Sequence, residues 1–189
     1  ISKEEVLNSI NRNTKSFKKD LNGTWILDED FESGIFPPPL WTMSSGATQW
    51  DQYNVSGYGT GDYSMFYSSW NCNYSNTLIQ TEEFTPTVSG DKLIFDYAYA
   101  PYDDGSTYYD DMEIFYYDIN NMEWYSLVYY NGIDLQTSPG TGNYFVPESN
   151  EWGTKAIDLP EGTYKLYFQV YENCANNLFV DNIRVGAVS

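Results

Sequence analysis

Residues 178–185, LFVDNIRV, alternate in polarity and set one charge on the apolar side, and this constrains the chain more than any other segment. Leu178, Val180, Asn182 and Arg184 alternate with Phe179, Asp181, Ile183 and Val185. A strand of uninterrupted period two therefore puts Asp181 on the face of Phe179, Ile183 and Val185. Burying that carboxylate unpaired costs on the order of several kcal/mol, so it requires a cation, a set of donors, or a place at the wet end of the strand. The chain has no histidine to help. Near the other end, Asp28-Glu29-Asp30-Phe31-Glu32 places further carboxylates beside an apolar strand. A metal ion shared by the two ends is the economical expectation.

Strand signals recur throughout. Thr24-Trp25-Ile26-Leu27 opens a strand that runs to Phe31, and residues 36–42, FPPPLWT, are extended but unfit for a central strand because three prolines remove ladder donors. Further strands are read at 48–53, 63–69, 77–84, 93–100, 110–118, 123–130, 152–159 and 163–171. Ser89-Gly90-Asp91, Asn120-Asn121 and Pro160-Glu161-Gly162 supply turn chemistry between them. The glycine-rich stretch 57–61 reads as a turn, since neither a Lys-Ser/Thr pair nor a helix follows it. Short strands at this spacing predict an all-β sandwich. Before them, the capping box Ser2-Lys3-Glu4-Glu5 and the face Val6, Ile10, Phe17 and Leu21 predict a short basic helix. Residues 1–22 are thus expected to be a helical linker or lid on an acidic body, and 23–189 the sandwich domain.

The 189 residues suit one domain of this size, and 41% hydrophobic content excludes disorder. Aromatics make up 19%, which favours half-buried pleated surfaces and an aromatic outer face. The net charge of −18 is uneven: five of the nine basic residues fall within the first nineteen positions. Such an acidic body repels nucleic acid and anionic membranes, and it welcomes metal cations; the alternative is that the charge only confers solubility. Cys72 and Cys174 sit in similar settings, NCN and ENCANN. Without CxxC or histidine, the expectation is a disulfide in an exported protein rather than a zinc or redox site. No stretch reads as a signal peptide or a membrane span, which predicts a mature or excised piece with no membrane insertion.

The blocks EDFES, FPPPLWT followed by Trp50, DYSMFYSS, NTLIQTEEF, LIFDYAYA, DMEIFYYDINNMEWYSL and WGTKAIDLPEGTYKLYFQVYENCANNLFVDNIRV, in this order, resemble the cleaved-adhesin family. That family comprises the haemagglutinin/adhesin domains of gingipain proteases and the related choice-of-anchor J domains of bacterial surface proteins. The similarity covers residues 28 to 185. Similar blocks occur in the MAM domains of animal receptors, which usually carry more cysteines. The resemblance implies a jelly-roll β-sandwich outside the cell, one module of a larger secreted or surface protein, commonly with structural calcium. The longer segments 101–111 and 133–151 depart from the family pattern and leave any inherited specificity open.

Calcium takes six to eight oxygens at roughly 2.3–2.6 Å. A jelly roll brings its first and last strands together, so the candidate ligands are Asp181, Glu32, Asp30 and Asp96, the last within FDYA. Alternatively these carboxylates accept backbone N–H bonds or lie at strand ends. Asp103-Asp104-Gly105 and Asp110-Asp111 lack EF-hand spacing and read as a solvated acidic loop. Trp70, Tyr74, Tyr102, Tyr108, Tyr109 and Trp152 lie in or beside polar loops and are candidate ligand-binding rings, since aromatic faces stack on sugars while amides and carboxylates bond hydroxyls. The bland reading is that they pack the core and cover the sheets. A Ser-His or Cys-His arrangement is impossible without histidine, and no carboxylate pair sits in a reaction-specifying motif. The expected role is therefore a non-catalytic, calcium-stabilised adhesion module whose partners are an extracellular protein or glycan and neighbouring domains; the alternatives are a carbohydrate-binding module or a structural spacer.

Overall fold

Alternating apolar residues on successive strands bury one face of each of two antiparallel sheets. The computed structural model describes residues 23–188, so the expected helix over 1–22 lies outside the described residues. In chain order the strands are β1 (Gly23–Glu29), β2 (Thr42–Met43), β3 (Trp50–Tyr53), β4 (Ser64–Ser68), β5 (Leu78–Gln80), β6 (Asp91–Tyr99), β7 (Tyr102–Asp103) and β8 (Thr107–Tyr108). They continue with β9 (Asp111–Asp118), β10 (Glu123–Tyr130), β11 (Gly153–Asp158), β12 (Thr163–Tyr171) and β13 (Asn177–Val188), and one helical turn, α1 (Gly132–Leu135), follows β10. One sheet runs β11-β6-β13-β4-β3 with β1 also paired to β13, so the first and last strands meet. The other runs β10-β9-β12-β5-β2, and β7-β8 is a separate hairpin. The strand β2, which follows the three prolines, occupies an edge. No helix among the described residues is long and apolar enough to cross a membrane.

Between the sheets, Leu93, Phe95, Tyr97 and Tyr99 of β6 and Val180, Ile183 and Val185 of β13 meet Ile114 of β9 and Leu166, Phe168 and Val170 of β12. Phe95 and Phe168 make an edge-to-face contact at 5.8 Å. A second apolar layer lies on the far side of the six-stranded sheet. There Ala98, Ala100 and Phe179 are covered by Phe145 and Trp152 from the long 133–152 segment, with Tyr53, Val55, Tyr58 and Phe66 around them. That sheet is consequently buried on both faces, which is why β6 is buried at almost every position.

The expected alternation through 178–185 breaks at one residue. Asp181 of β13 stands opposite Asp96 of β6, and the next registered pair is Arg184 with Ile94, so Asn182 and Ile183 together oppose Phe95. Asn182 has φ +50, a conformation asparagine tolerates better than most side chains. The extra residue inverts the phase of the strand. Phe179 and Asp181 therefore point into the loop-covered layer, while Ile183 and Val185 point into the main core. Asp181 does not share the face of Ile183 and Val185; the bulge resolves the conflict the sequence posed.

Cys72 and Cys174 are bonded across a separation of 102 residues, with Cα atoms 4.4 Å apart. Both have positive φ. Buried carboxylates clamp each cysteine's loop: Glu172 accepts the N–H groups of Asn73 (2.7 Å) and Ser75 (2.8 Å), and Asp110 accepts those of Asn173 (2.6 Å) and Ala175 (3.3 Å). Asp110 thus belongs to a buried clamp, not to a solvated acidic loop. Closing a loop of this length stabilises the fold by up to ~5 kcal/mol in the chain-entropy model. The Cys72→Ser/Cys174→Ser double variant is expected to lose a large part of that in denaturant unfolding. The wild-type protein prepared without reductant is expected to take up no alkylating agent by intact mass; uptake on both thiols would refute the pairing in solution.

Candidate functional site

The bulge delivers Asp181 to a pocket roofed by the glycine turn. Asp181 and Asp96 face each other on neighbouring strands and are 2% and 3% exposed. Gly57 N–H donates to Asp181 Oδ2 at 2.5 Å, and Asn182 N–H donates to Oδ1 at 2.7 Å. Thr154 Oγ1 donates to Asp96 Oδ1 at 2.6 Å, and Asn182 Nδ2 donates to Asp96 Oδ2 at 2.9 Å. A Cβ on residue 57 would lie 2.7 Å from Asn182 Nδ2 and 3.0 and 3.1 Å from the Oδ2 atoms of Asp96 and Asp181. Glycine is required there because the backbone itself closes over the carboxylates. The same turn receives Glu32, whose Oε1 accepts the N–H groups of Asp62 and Tyr63, both at 2.8 Å, and which abuts Gly61.

No cation answers this pair among the described residues, whose four basic side chains are all engaged elsewhere. Lys92 pairs with Asp158 and Lys165 with Glu83; Lys155 lies over Tyr97 and Tyr130, and Arg184 over Trp25. Burial, together with the charges of Asp96 and Glu32, pushes the Asp181 carboxyl up to about 8 despite its two backbone donors. At neutral pH the metal-free pair therefore retains a proton. The donor set is hard oxygen only, as calcium prefers. Among the described residues, no three acidic, cysteine or histidine side chains converge into a cage, so an ion here would draw on backbone carbonyls and water as well.

Of the four expected ligands, Asp181 and Asp96 are brought face to face and Glu32 reaches the same turn. Asp30 is not brought with them: its carboxylate accepts the Glu32 N–H at 3.2 Å, and its charge adds to the burial that raises the carboxyls of Asp28 and Glu29. Sequence reasoning passed over Gly57, Thr154 and Asn182. The run of glycines at 57–61 and the asparagine after Asp181 were the available signals, but neither identifies a partner without the fold. The pair is no catalytic dyad open to a substrate, because the 57–61 turn covers it.

The candidate rings divide. Trp70, Tyr74, Tyr102 and Tyr108 line one cavity of about 500 Å³ with Asp104, on a floor that includes Cys72 and Cys174. Trp70 meets Tyr102 and Tyr144 edge-on, each at 5.6 Å, and Tyr74 is 70% exposed. Tyr144, from the 133–151 segment, was not anticipated. Tyr109 packs against the main core. Trp152 is 6% exposed and packs on Phe179, so the structure removes it from the surface. The loop that carries it folds back over the sheet to seal the outer layer.

No family model matches the sequence, and no curated protein matches it. Solved structures share the fold. The K1 cleaved adhesin domain of Lys-gingipain from Porphyromonas gingivalis W83 is 18% identical at a TM-score of 0.59, covering 86% of this chain and 98% of that one. A non-crystalline cellulose-specific carbohydrate-binding module, CBM28, is 13% identical at 0.53, covering 88% and 97%. TmCBM61, solved with β-1,4-galactotriose, is 16% identical at 0.53, covering 87% and 99%. The chain thus has the two-sheet sandwich fold of cleaved adhesin domains, and carbohydrate-binding modules share it.

The carboxyl of Asp181 sets a pH dependence whose sign is fixed. Its folded value, about 8, exceeds the unfolded value of about 3.9, so its contribution is complete below pH 4 and is lost as pH rises through 8. In chelator, the wild-type protein is expected to lose stability between pH 5 and 9 relative to Asp181→Asn, by on the order of several kcal/mol. Parallel stability–pH curves for the two proteins would show that Asp181 is not held protonated.

Proposed function

We propose that this chain is a non-catalytic, calcium-stabilised binding module that works outside the cell, in adhesion, as one jelly-roll domain of a larger secreted or surface protein. The observation that carries the reading is the buried Asp96–Asp181 pair: two facing carboxyls, hard oxygens and no basic partner among the described residues, on a sandwich whose solved likenesses are named as adhesin domains and carbohydrate-binding modules. Asp96 and Asp181 would hold the ion from the strands, with backbone carbonyls and water completing its shell, while Glu32 steadies the turn through the Asp62 and Tyr63 N–H groups. A bound divalent cation would take over the role of the retained proton and tie the 57–63 turn to the sheet. The Cys72–Cys174 disulfide supports an oxidising, extracellular setting.

A second reading, a carbohydrate-binding module, is favoured by the cavity at the disulfide. Three of its four rings carry hydroxyls and Asp104 stands among them, which suits a sugar as well as a protein side chain. Calcium is expected to raise the melting temperature by mass action and EDTA to lower it, and Asp181→Asn is expected to remove most of that response. An unchanged melt on chelation, with no metal found by elemental analysis, refutes the ion. A glycan array and a binding assay against extracellular proteins, both run with calcium, test the role; silence in both would leave a structural spacer.

A further inference from the structure

The two sheets treat their outer faces differently. The six-stranded sheet is sealed by loops and a second apolar cluster, whereas the outer face of β10-β9-β12-β5-β2 carries a row of half-buried rings that pack on one another, with Tyr129 exposed. Register places Trp124 opposite Tyr117, and Phe115 opposite Tyr167, on that face. Phe115 and Tyr167 stack at 4.4 Å, and Trp124 lies 4.7 Å from Tyr167. Four residues further along β12, about 13 Å at strand rise, Tyr171 pairs with Tyr129 at 5.9 Å. Stacked rings that stay partly open to solvent along one sheet face form an extended apolar strip on which a ligand can lie.

We propose that this face binds an extended, neutral glycan chain laid along β12, at a site separate from the cavity at the disulfide; the proposal rests on the binding-module reading and names its ligand class. The polar groups between the ring groups distinguish a sugar from a protein contact. Gln169 lies between Glu113 and Leu78 in register, and Gln80 lies between Tyr167 and Thr42. Neither glutamine side-chain amide bonds a described residue. Glu113 takes hydroxyl donors on both oxygens, Ser126 at 2.5 Å and Tyr171 at 2.7 Å, and sugar hydroxyls are donors of the same kind. The order ring, amide and carboxylate, ring matches a pyranose chain, which offers apolar C–H faces and hydroxyl edges in turn. A protein partner would call for a broader apolar patch with fewer unsatisfied amides. Charge selects neutral sugars: Asp111 and Glu113 outnumber Lys165 on the face, and Lys165 is already paired with Glu83, so sialylated or sulfated chains are repelled.

The test uses the whole chain with calcium on an array of neutral, sialylated and sulfated glycans, followed by calorimetric titration of the tightest neutral hit. Trp124→Ala is expected to weaken that binding on the order of tenfold. Gln169→Ala, which leaves the rings in place, is expected to weaken it severalfold with an unchanged melting temperature, and it keeps the test decisive if the tryptophan variant misfolds. Trp70→Ala is expected to leave binding unaltered. Loss with Trp70→Ala but not with Gln169→Ala or Trp124→Ala, or a preference for anionic glycans, overturns the proposal. Silence on the array beside binding to a protein ligand overturns it too while leaving the binding-module reading intact, and silence in both assays removes that reading as well.

Discussion

Two carboxylates that face each other in a buried layer are the constraint on which much of this structure depends. Like charges a strand apart repel, and neither is neutralised by a basic side chain of the described residues. Everything near them reduces that cost. The bulge at Asn182 rotates Asp181 out of the hydrophobic core into a layer where Gly57, Asn182 and Thr154 supply donors. The glycine turn can approach closely only because residue 57 lacks a side chain. What donors leave unbalanced must be met by a proton or a cation, and the raised carboxyl of Asp181 is the proton's signature.

That requirement also explains the asymmetry of the two sheets. Sealing the carboxylate layer takes the 53–62 and 133–152 segments, with Phe145 and Trp152 as the apolar plugs. Those segments are held in turn by polar bonds: Asn176 and Asn177 are buried and bond the backbone of Asn143 and Phe145. The disulfide lies a few residues before these asparagines, so one short stretch, 172–182, carries the acidic clamp, the covalent tie, the loop anchors and the bulge. With the long segments committed to one side, the outer face of the five-stranded sheet keeps half-buried side chains among the described residues.

Much of this was legible in the sequence because the signals were local. Period two found the strands, proline demoted 36–42 to the edge, and the matched settings of Cys72 and Cys174 suggested their pairing. An aromatic outer face followed from composition, though not which strands would carry it, since that depends on the register of β9, β10 and β12. The bulge was illegible because one left-handed residue inverts a strand without altering its polarity pattern, and Asn182 is as ordinary in a strand's polar position as in a bulge. Trp152 misled for a related reason. Its neighbours are polar, and only the fold of the preceding loop turns it inward. Glu32 and Asp30 are two residues apart and were both candidate ligands, Glu32 the stronger, but Asp30 accepts the backbone N–H of Glu32 and stays behind.

The layers also keep the possible ligands apart. Asp96 and Asp181 lie beyond the six-stranded sheet, and the rings of β9, β10 and β12 lie beyond the other, with the main core between. The cavity at Trp70 rests on the disulfide and its carboxylate clamps, not on the glycine turn. An ion at the carboxylates would touch neither surface, so it would act on ligand binding only through the stability of the fold. Packed cores transmit strain, but a change in affinity requires the ion to favour one of two arrangements of the distant face, and the six-stranded sheet that separates them is buried on both sides and packed in one arrangement. The metal's effect on binding should therefore vanish wherever the protein is already fully folded.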